Sequence, residues 1–369
     1  MLEGNMESYR IKVTPELAKA AVLGGAFLGG GGGGSVDTGL ATALEALELG
    51  EINIVSLDCV PEDANVVTAS AVGSPASQEG YVTVEHCERA LELYKGFSHQ
   101  SIGGVITNEN GGHSTTNGWV LSAITGIPLI DAPCNGRAHP TGRMGSMGLS
   151  MEPAYKSCQA AVGGKEETGK YTEMAVYGRL EAASVLVRRA AVEAGGLVTV
   201  LRNSVKAGYL RQNAAPGALK QAIEIGKIFL ENEGSCRAIL DALSKHMDIE
   251  VAIAGTVNHC ALEIRDGFDV GKINITDGAQ QVEASFWNEY MTIERNGDRL
   301  ASFPDLIAAL DRNTGEIKTS ACIGEGDAVV LLKVPKKFLK LGRGMYDQEL
   351  FEEVEKIIDK PLVRYHFGV

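Results

Sequence analysis

The hydrophobic period of this chain changes once along its length, and that change limits the folds open to it. Over the first ~150 residues, short apolar runs alternate with amphipathic helical stretches, the sequence signature of βαβ units around a mostly parallel sheet. Residues 52–57, 66–71, 105–107 and 127–130 read as strands, and residues 84–94 and 116–125 as helices. A helix also starts at Thr14-Pro15-Glu16, and another runs from the Ser35 or Asp37 cap to Gly50. Between Tyr171 and Met247 the pattern is helical, with one strand at 197–200. From Ile249 the period becomes two, with turn signals at Asp266-Gly267, Asp277-Gly278, Asn296-Gly297 and Thr314-Gly315, as in an antiparallel β unit. The expectation is an α/β domain over 1–170 with a mostly parallel sheet. A C-terminal α+β domain over 171–369 follows, carrying a β-rich unit at about 249–334 and closing on a charged helix at 347–358.

Composition narrows the function. A net charge of −13 leaves no basic surface for nucleic acid or for an anionic membrane. Seven cysteines, odd in number and without a C-x-x-C pair, make neither a disulfide framework nor a structural zinc site. The N-terminus has no apolar signal region, and the longest apolar stretch, 20–34, is broken by eight glycines. A cytoplasmic protein acting on a small molecule is expected, either alone, as a homo-oligomer or with a protein partner.

In a parallel sheet, ligands sit beyond the carboxyl ends of the strands. Asp58, Asn108-Glu109-Asn110 and Asp131 stand at three such ends, and residues 108–143 form the densest polar region of the chain. Glu109 or Asp131 is a candidate general base, and His113 or His139 a proton-exchanging partner. Arg137 suits a carboxylate substituent, and Asn110 and Asn117 are further candidate substrate contacts. Cys134 is either a nucleophile or a small buried hydrophobe. A divalent metal such as zinc is a second reading, because Glu109, His113, Asp131 and His139 offer mixed nitrogen and oxygen ligands, although their spacing matches no strong motif. The six glycines at 29–34 lack the lysine of a P-loop and follow a helix rather than a strand. Gly31, Gly32 and Gly33 are read as a tight, substrate-facing loop, with a purely structural turn as the alternative. Trp287-Asn288-Glu289-Tyr290 is either a strand surface or the wall of an inter-domain pocket.

The chain resembles the S-methyl-thiohydantoin desulfurase (S-Me-THD, formerly DUF917) family over nearly its whole length. The resemblance rests on Leu28 with the glycine run, Gly73-Ser74-Pro75 with Glu79, Glu109-Asn110-Gly111-Gly112, Ile127-Pro128-Leu129-Ile130-Asp131 and Gly136-Arg137-Ala138-His139-Pro140. In the second half it rests on Asp266-Gly267-Phe268, Asn288-Glu289 and Phe303-Pro304-Asp305-Leu306-Ile307. It implies a two-domain hydrolase acting on five-membered cyclic ureides or thiohydantoins, by hydrolytic loss of sulfur from C2. It also implies a link to hydantoinase-type partners. Ring-opening amidohydrolysis and a non-catalytic role in a hydantoinase-like complex are the competing functions. The sequence departs from the family at Ala132-Pro133-Cys134-Asn135, where an acidic, small-residue segment is usual, and at His139, where Phe is commoner. Both departures fall in the expected site and leave the substrate and the reaction open to change.

Overall fold

A computed structural model describes residues 8–73, 77 and 79–368. Ser74 and Pro75 of the family-like motif lie outside them. The first sheet contains β1 (Arg10–Lys12), β2 (Asn53–Val55), β3 (Asn65–Gly73), β4 (Gly104–Thr107), β5 (Leu129–Ile130), β6 (Lys156–Gly163), β7 (Thr172–Arg179) and β8 (Leu197–Lys206). Its order is β1-β2-β5-β4-β3-β8-β6-β7. The four strands read from the alternating pattern, β2, β5, β4 and β3, pair in parallel. Antiparallel strands extend this block on both sides.

Strand β7 lies where a helical pattern is expected. Its inward side chains Met174 and Val176 pack on the small core beneath the following helix, but Ala175 and Gly178 dilute the period-two signal. Strand β6 is buried on both faces and shows no alternation at all. The expected boundary after residue 170 falls inside the β6–β7 hairpin, so the first sheet takes its last two strands from beyond it.

Five helices accompany this sheet: α1 (Pro15–Gly29), α2 (Val36–Leu49), α3 (Val84–Ser98), α4 (Trp119–Thr125) and α5 (Leu180–Glu193). Three more follow, α6 (Ala207–Asn213), α7 (Ala218–Glu231) and α8 (Cys236–Leu243). Helix α1 meets α7 backbone to backbone. A Cβ on Gly24 would sit 1.8 Å from the Ala222 carbonyl oxygen, and one on Gly226 would sit 1.7 Å from that of Ala20. Only glycine permits so close an approach.

The second sheet is antiparallel throughout. It contains β9 (Glu250–Arg265), β10 (Phe268–Thr276), β11 (Gln281–Trp287), β12 (Glu289–Arg295), β13 (Asp298–Ser302), β14 (Leu306–Asp311), β15 (Ile317–Lys318) and β16 (Ala328–Val334). The four predicted turn pairs fall between β9 and β10, β10 and β11, β12 and β13, and β14 and β15. Helices α9 (Gln348–Ile358) and α10 (Val363–Phe367) end the chain. One core joins the two halves, with Phe27 and Leu28 of α1 packed against α7, α8, β14 and β16. All seven cysteines are free thiols. Among the described residues, no helix is long and apolar enough to cross a membrane.

Candidate functional site

The segment after β5 runs alongside the end of β4. Cys134 N donates to Thr107 O at 3.1 Å and Asn135 N to Asn108 O at 3.1 Å, so the parallel pairing continues as a bridge between Glu109 and Asn135. This brings two strand-end loops together around one carboxylate. Ser114 Oγ donates to Glu109 Oε1 at 2.9 Å, and His139 N donates to Oε2 at 3.1 Å. The His139 ring folds over the same oxygen, with Nε2 3.1 Å from Oε2. That contact is off the line of a hydrogen bond, and both ring nitrogens lack a hydrogen-bond partner among the described residues. Burial lowers the His139 pKa, and the neighbouring Glu109 charge counters part of that shift.

Glu109, His113 and His139 line a cleft of about 790 Å³ between the two sheets. Asn108, Ser114 and Arg202 share its first wall, and Phe268, Trp287, Asn288 and Glu289 form the opposite one. His113 is half-buried on the wall shared with a smaller chamber, and desolvation lowers its pKa to about 4, so its imidazole is neutral near pH 7.

The second wall is set by a one-residue turn. Asn288 alone joins β11 to β12, with a left-handed φ of 57° that Asn tolerates better than most residues. Its N–H donates to Asp269 O at 2.7 Å, and its Oδ1 accepts from Asp269 N at 2.9 Å. Glu289, next in the chain, is 1% exposed, and its Oε2 has no hydrogen-bond partner among the described residues. Burial first, and then the Glu109 charge, push its carboxyl well above the usual carboxylate range. The pocket-wall alternative for residues 287–290 therefore describes where Trp287, Asn288 and Glu289 lie, whereas Tyr290 packs in the core of the second sheet.

Several expected site residues are placed elsewhere. Asp131 follows β5 as Glu109 follows β4, but its side chain turns to the start of α7. There Oδ1 accepts from Leu219 N at 2.7 Å, and Oδ2 accepts from Lys220 N at 2.9 Å and Tyr9 Oη at 2.5 Å. The first-turn N–H groups of a helix favour a carboxylate there, which takes Asp131 out of the cleft. Asp131→Ala should cost about 2 kcal/mol in chemical denaturation, the upper range for losing a helix cap, since buried donors are left unpaired.

Cys134 is wholly buried among Val66, Ile106 and Ile130, 3.4 Å from Thr68 Oγ1, and desolvation pushes its thiol up to about 11. Arg137 joins the domains, with Nη2 left without a hydrogen-bond partner among the described residues. Its Nη1 donates to Pro304 O at 3.0 Å and Asp305 O at 2.6 Å, and its guanidinium lies 4.5 Å over the Phe303 ring. Asn110 ties Gly136 O and Ala218 O together at 3.2 and 2.9 Å. Asn117 donates to Asn108 Oδ1 at 2.7 Å and lines a side chamber of about 190 Å³, which shares His113 and Leu197 with the cleft.

The glycine loop is a staple as well as a wall. Gly30 O accepts from Tyr290 N at 2.8 Å, Gly31 O from Ser320 N at 2.9 Å, and Gly33 O from both His113 N and Ser114 N at 2.9 Å. Gly33 and Gly34 line the cleft, while Gly31 and Gly32 press on Tyr290 and Glu289 behind it. Gly30, Gly31, Gly33 and Gly34 all have positive φ. With Asp131 on α7, the four proposed metal donors are not assembled, and no group of three or more His, Cys, Asp or Glu suited to a metal occurs among the described residues.

Sequence reasoning passed over Arg202 on β8, which faces the cleft. Its signal is a charged residue closing the apolar run Leu197–Leu201.

Two family models match the chain: the S-Me-THD-like N-terminal domain over residues 18–168 and the S-Me-THD-like C-terminal domain over residues 179–343. No curated protein matches. A crystal structure of a protein from Chromobacterium violaceum superimposes with a TM-score of 0.67 at 17% identity, over 94% of this chain and 97% of the other, a likeness of fold alone. Matched in both halves and in order, the chain belongs to the S-Me-THD-like family.

Proposed function

We propose that this protein hydrolyses a five-membered cyclic ureide or its C2-thio analogue, removing sulfur from C2 with water. Family membership supports the substrate class. The chemistry is carried by one observation: two buried carboxyl groups in one cleft stand in opposite hydrogen-bonding states. Glu109 accepts bonds at both oxygens and faces His139, whereas Glu289 has a free oxygen and a pKa that burial raises well above that of an exposed glutamate. Environments that separate two acids in this way assign a base and an acid.

In this reading Glu109 takes the proton of a water that adds to C2, and the adjacent imidazole of His139 stabilises the charge shift. Glu289 delivers its proton to sulfur as the C2–S bond breaks. The hydroxyl on C2 collapses to the carbonyl and passes its proton to the departing sulfide (or, in the S-methylated ring, to the ring nitrogen), and the proton held by Glu109 returns to Glu289. The sum is thiohydantoin plus water giving hydantoin plus hydrogen sulfide, or methanethiol from the S-methylated ring. No step requires a metal. Asp131, Cys134 and Arg137 have structural roles in this scheme.

Incubation of the purified chain with 2-thiohydantoins should yield hydantoin and sulfide in equal amounts. A ring-opened thiocarbamoyl product without sulfide would replace this reaction with amidohydrolysis, and binding without turnover would favour a non-catalytic role.

The glycine loop gives a second check. A Cβ on Gly32 would lie 2.1 Å from Glu289 Oε1. Gly32→Ala should therefore shift the acid and lower kcat by roughly 10–100-fold, the usual cost of ångström-scale misplacement, while circular dichroism stays unchanged.

A further inference from the structure

We infer that two copies of this chain associate through the outer edge of β7, joining their first sheets into one across a twofold axis. Strand β7 ends the first sheet, and among the described residues no strand pairs with its outer side. It is eight residues long and pairs with β6 along its whole length without a shift of register. The other sheet edges are short: β1 has three residues, β13 five and β15 two. A long, regular edge is a template for a further strand, and proteins that must keep it free blunt it with a lysine, a proline or a bulge. The run Thr-Glu-Met-Ala-Val-Tyr-Gly-Arg has none of these.

The strand that fits this edge is β7 itself, running the other way. A twofold contact is self-complementary, and antiparallel pairing that keeps each face aligned must centre on a residue. Centred on Val176, it sets Glu173 of each copy opposite Arg179 of the other, and the Tyr177 ring opposite the small Ala175. Centred on Ala175, Glu173 would face Tyr177, and centred on Tyr177 it would face Glu181. Of the three, the Val176 register alone matches opposite charges. The side chains it uses are accessible. Tyr177 is 64% exposed, and Arg179 has an ion pair of only 3.8 Å, with Glu181. Glu173 is held on that face by Arg89, whose Nε and Nη2 donate to it at 2.7 and 2.9 Å. On the opposite face Met174 and Val176 pack on the small core beneath α5, so the added strand would extend that apolar layer. Helix α5 follows β7 directly and exposes Leu186 and Val192. The chain carries a net charge of −13, yet β7 has one acid and one base and α5 two of each, so this face does not repel its own copy.

Sedimentation velocity of the full chain over a dilution series, combined with cysteine cross-linking, tests the contact. Wild type should sediment as a dimer that dissociates on dilution. Arg179→Glu should raise the dissociation constant at least ~5-fold, the low end for turning two attractive cross-strand pairs repulsive, and adding Glu173→Arg to it should restore association. Both positions are exposed, so circular dichroism should not change. In the dimer, Val176 faces its own copy with Cα atoms about 4.5–5.5 Å apart, within disulfide reach. Mild oxidation of Val176→Cys should therefore give a disulfide-linked dimer, whereas Ala175→Cys and the wild type, with its seven free thiols, should not. A chain that stays monomeric at every concentration would overturn the inference. So would a dimer that ignores Arg179→Glu and leaves Val176→Cys unlinked, since it would use another face, such as the exposed end of β9 with Leu262 and Ile264. A disulfide through Ala175→Cys in place of Val176→Cys would overturn the register and the charge pairing with it.

Discussion

Glu109→Gln is expected to lower turnover by at least ~10²-fold, the low end of general-base contributions, whereas Cys134→Ser should leave turnover within a few-fold. The two substitutions separate water attack from a covalent cysteine adduct. Glutamine keeps the size of Glu109 and an acceptor for Ser114, but it cannot take a proton from water. Cys134 does not line the cleft. It is fully buried behind the strand ends, it contacts Thr68 at 3.4 Å, and desolvation holds its thiol at about 11, so almost no thiolate exists near neutral pH. Serine in that apolar site costs stability rather than rate. Steady-state kinetics on both variants, with alkylation of the wild type as a control, decide between the mechanisms. Loss of turnover in Cys134→Ser together with near-normal Glu109→Gln would put a cysteine adduct in place of activated water.

The contrast between these residues shows what a sequence can carry. The parallel strands and the turn pairs of the second sheet were readable because each depends on local signals: apolar runs, helix caps, and Asp-Gly or Asn-Gly punctuation. The place of Glu109 and His139 in the cleft was readable because a polar loop following a buried strand is seldom structural. Asp131 occupies the same kind of position in sequence, and only a partner 88 residues away, the first turn of α7, redirects it. Arg137 is likewise claimed by carbonyls more than 160 residues later. The converse case is Arg202, embedded in a strand, while Glu289, offered only as part of a pocket wall, carried no sign of its role as an acid. Glu289 follows a left-handed Asn288, and Arg202 precedes a left-handed Asn203. Those two backbone irregularities aim polar side chains into the cleft, and neither is written in hydrophobic periodicity.

Glu289→Gln should reduce turnover by ~10²–10⁴-fold, the range for removing a general acid, and should also abolish the alkaline limb of the pH–rate profile. The sign follows from its environment. Burial and the Glu109 charge raise the Glu289 pKa, so the carboxyl holds its proton at pH values where an exposed glutamate has lost it. The proton needed by the leaving sulfur is therefore present below the raised value and is lost as pH rises through it. Wild-type kcat/KM should fall on the alkaline side with a slope of one, while the glutamine variant, with nothing to ionise there, stays flat at its reduced level. The stability effect of this group has the same sign: its contribution is complete below the unfolded-state pKa and declines as pH rises through the folded one. Leaving-group dependence sharpens the test. S-methylated and unsubstituted thiohydantoins differ in how much their sulfur needs a proton, so the penalty of Glu289→Gln should be larger for the poorer leaving group. Equal penalties for both, with the alkaline limb intact, would move the acid role to another residue of the cleft.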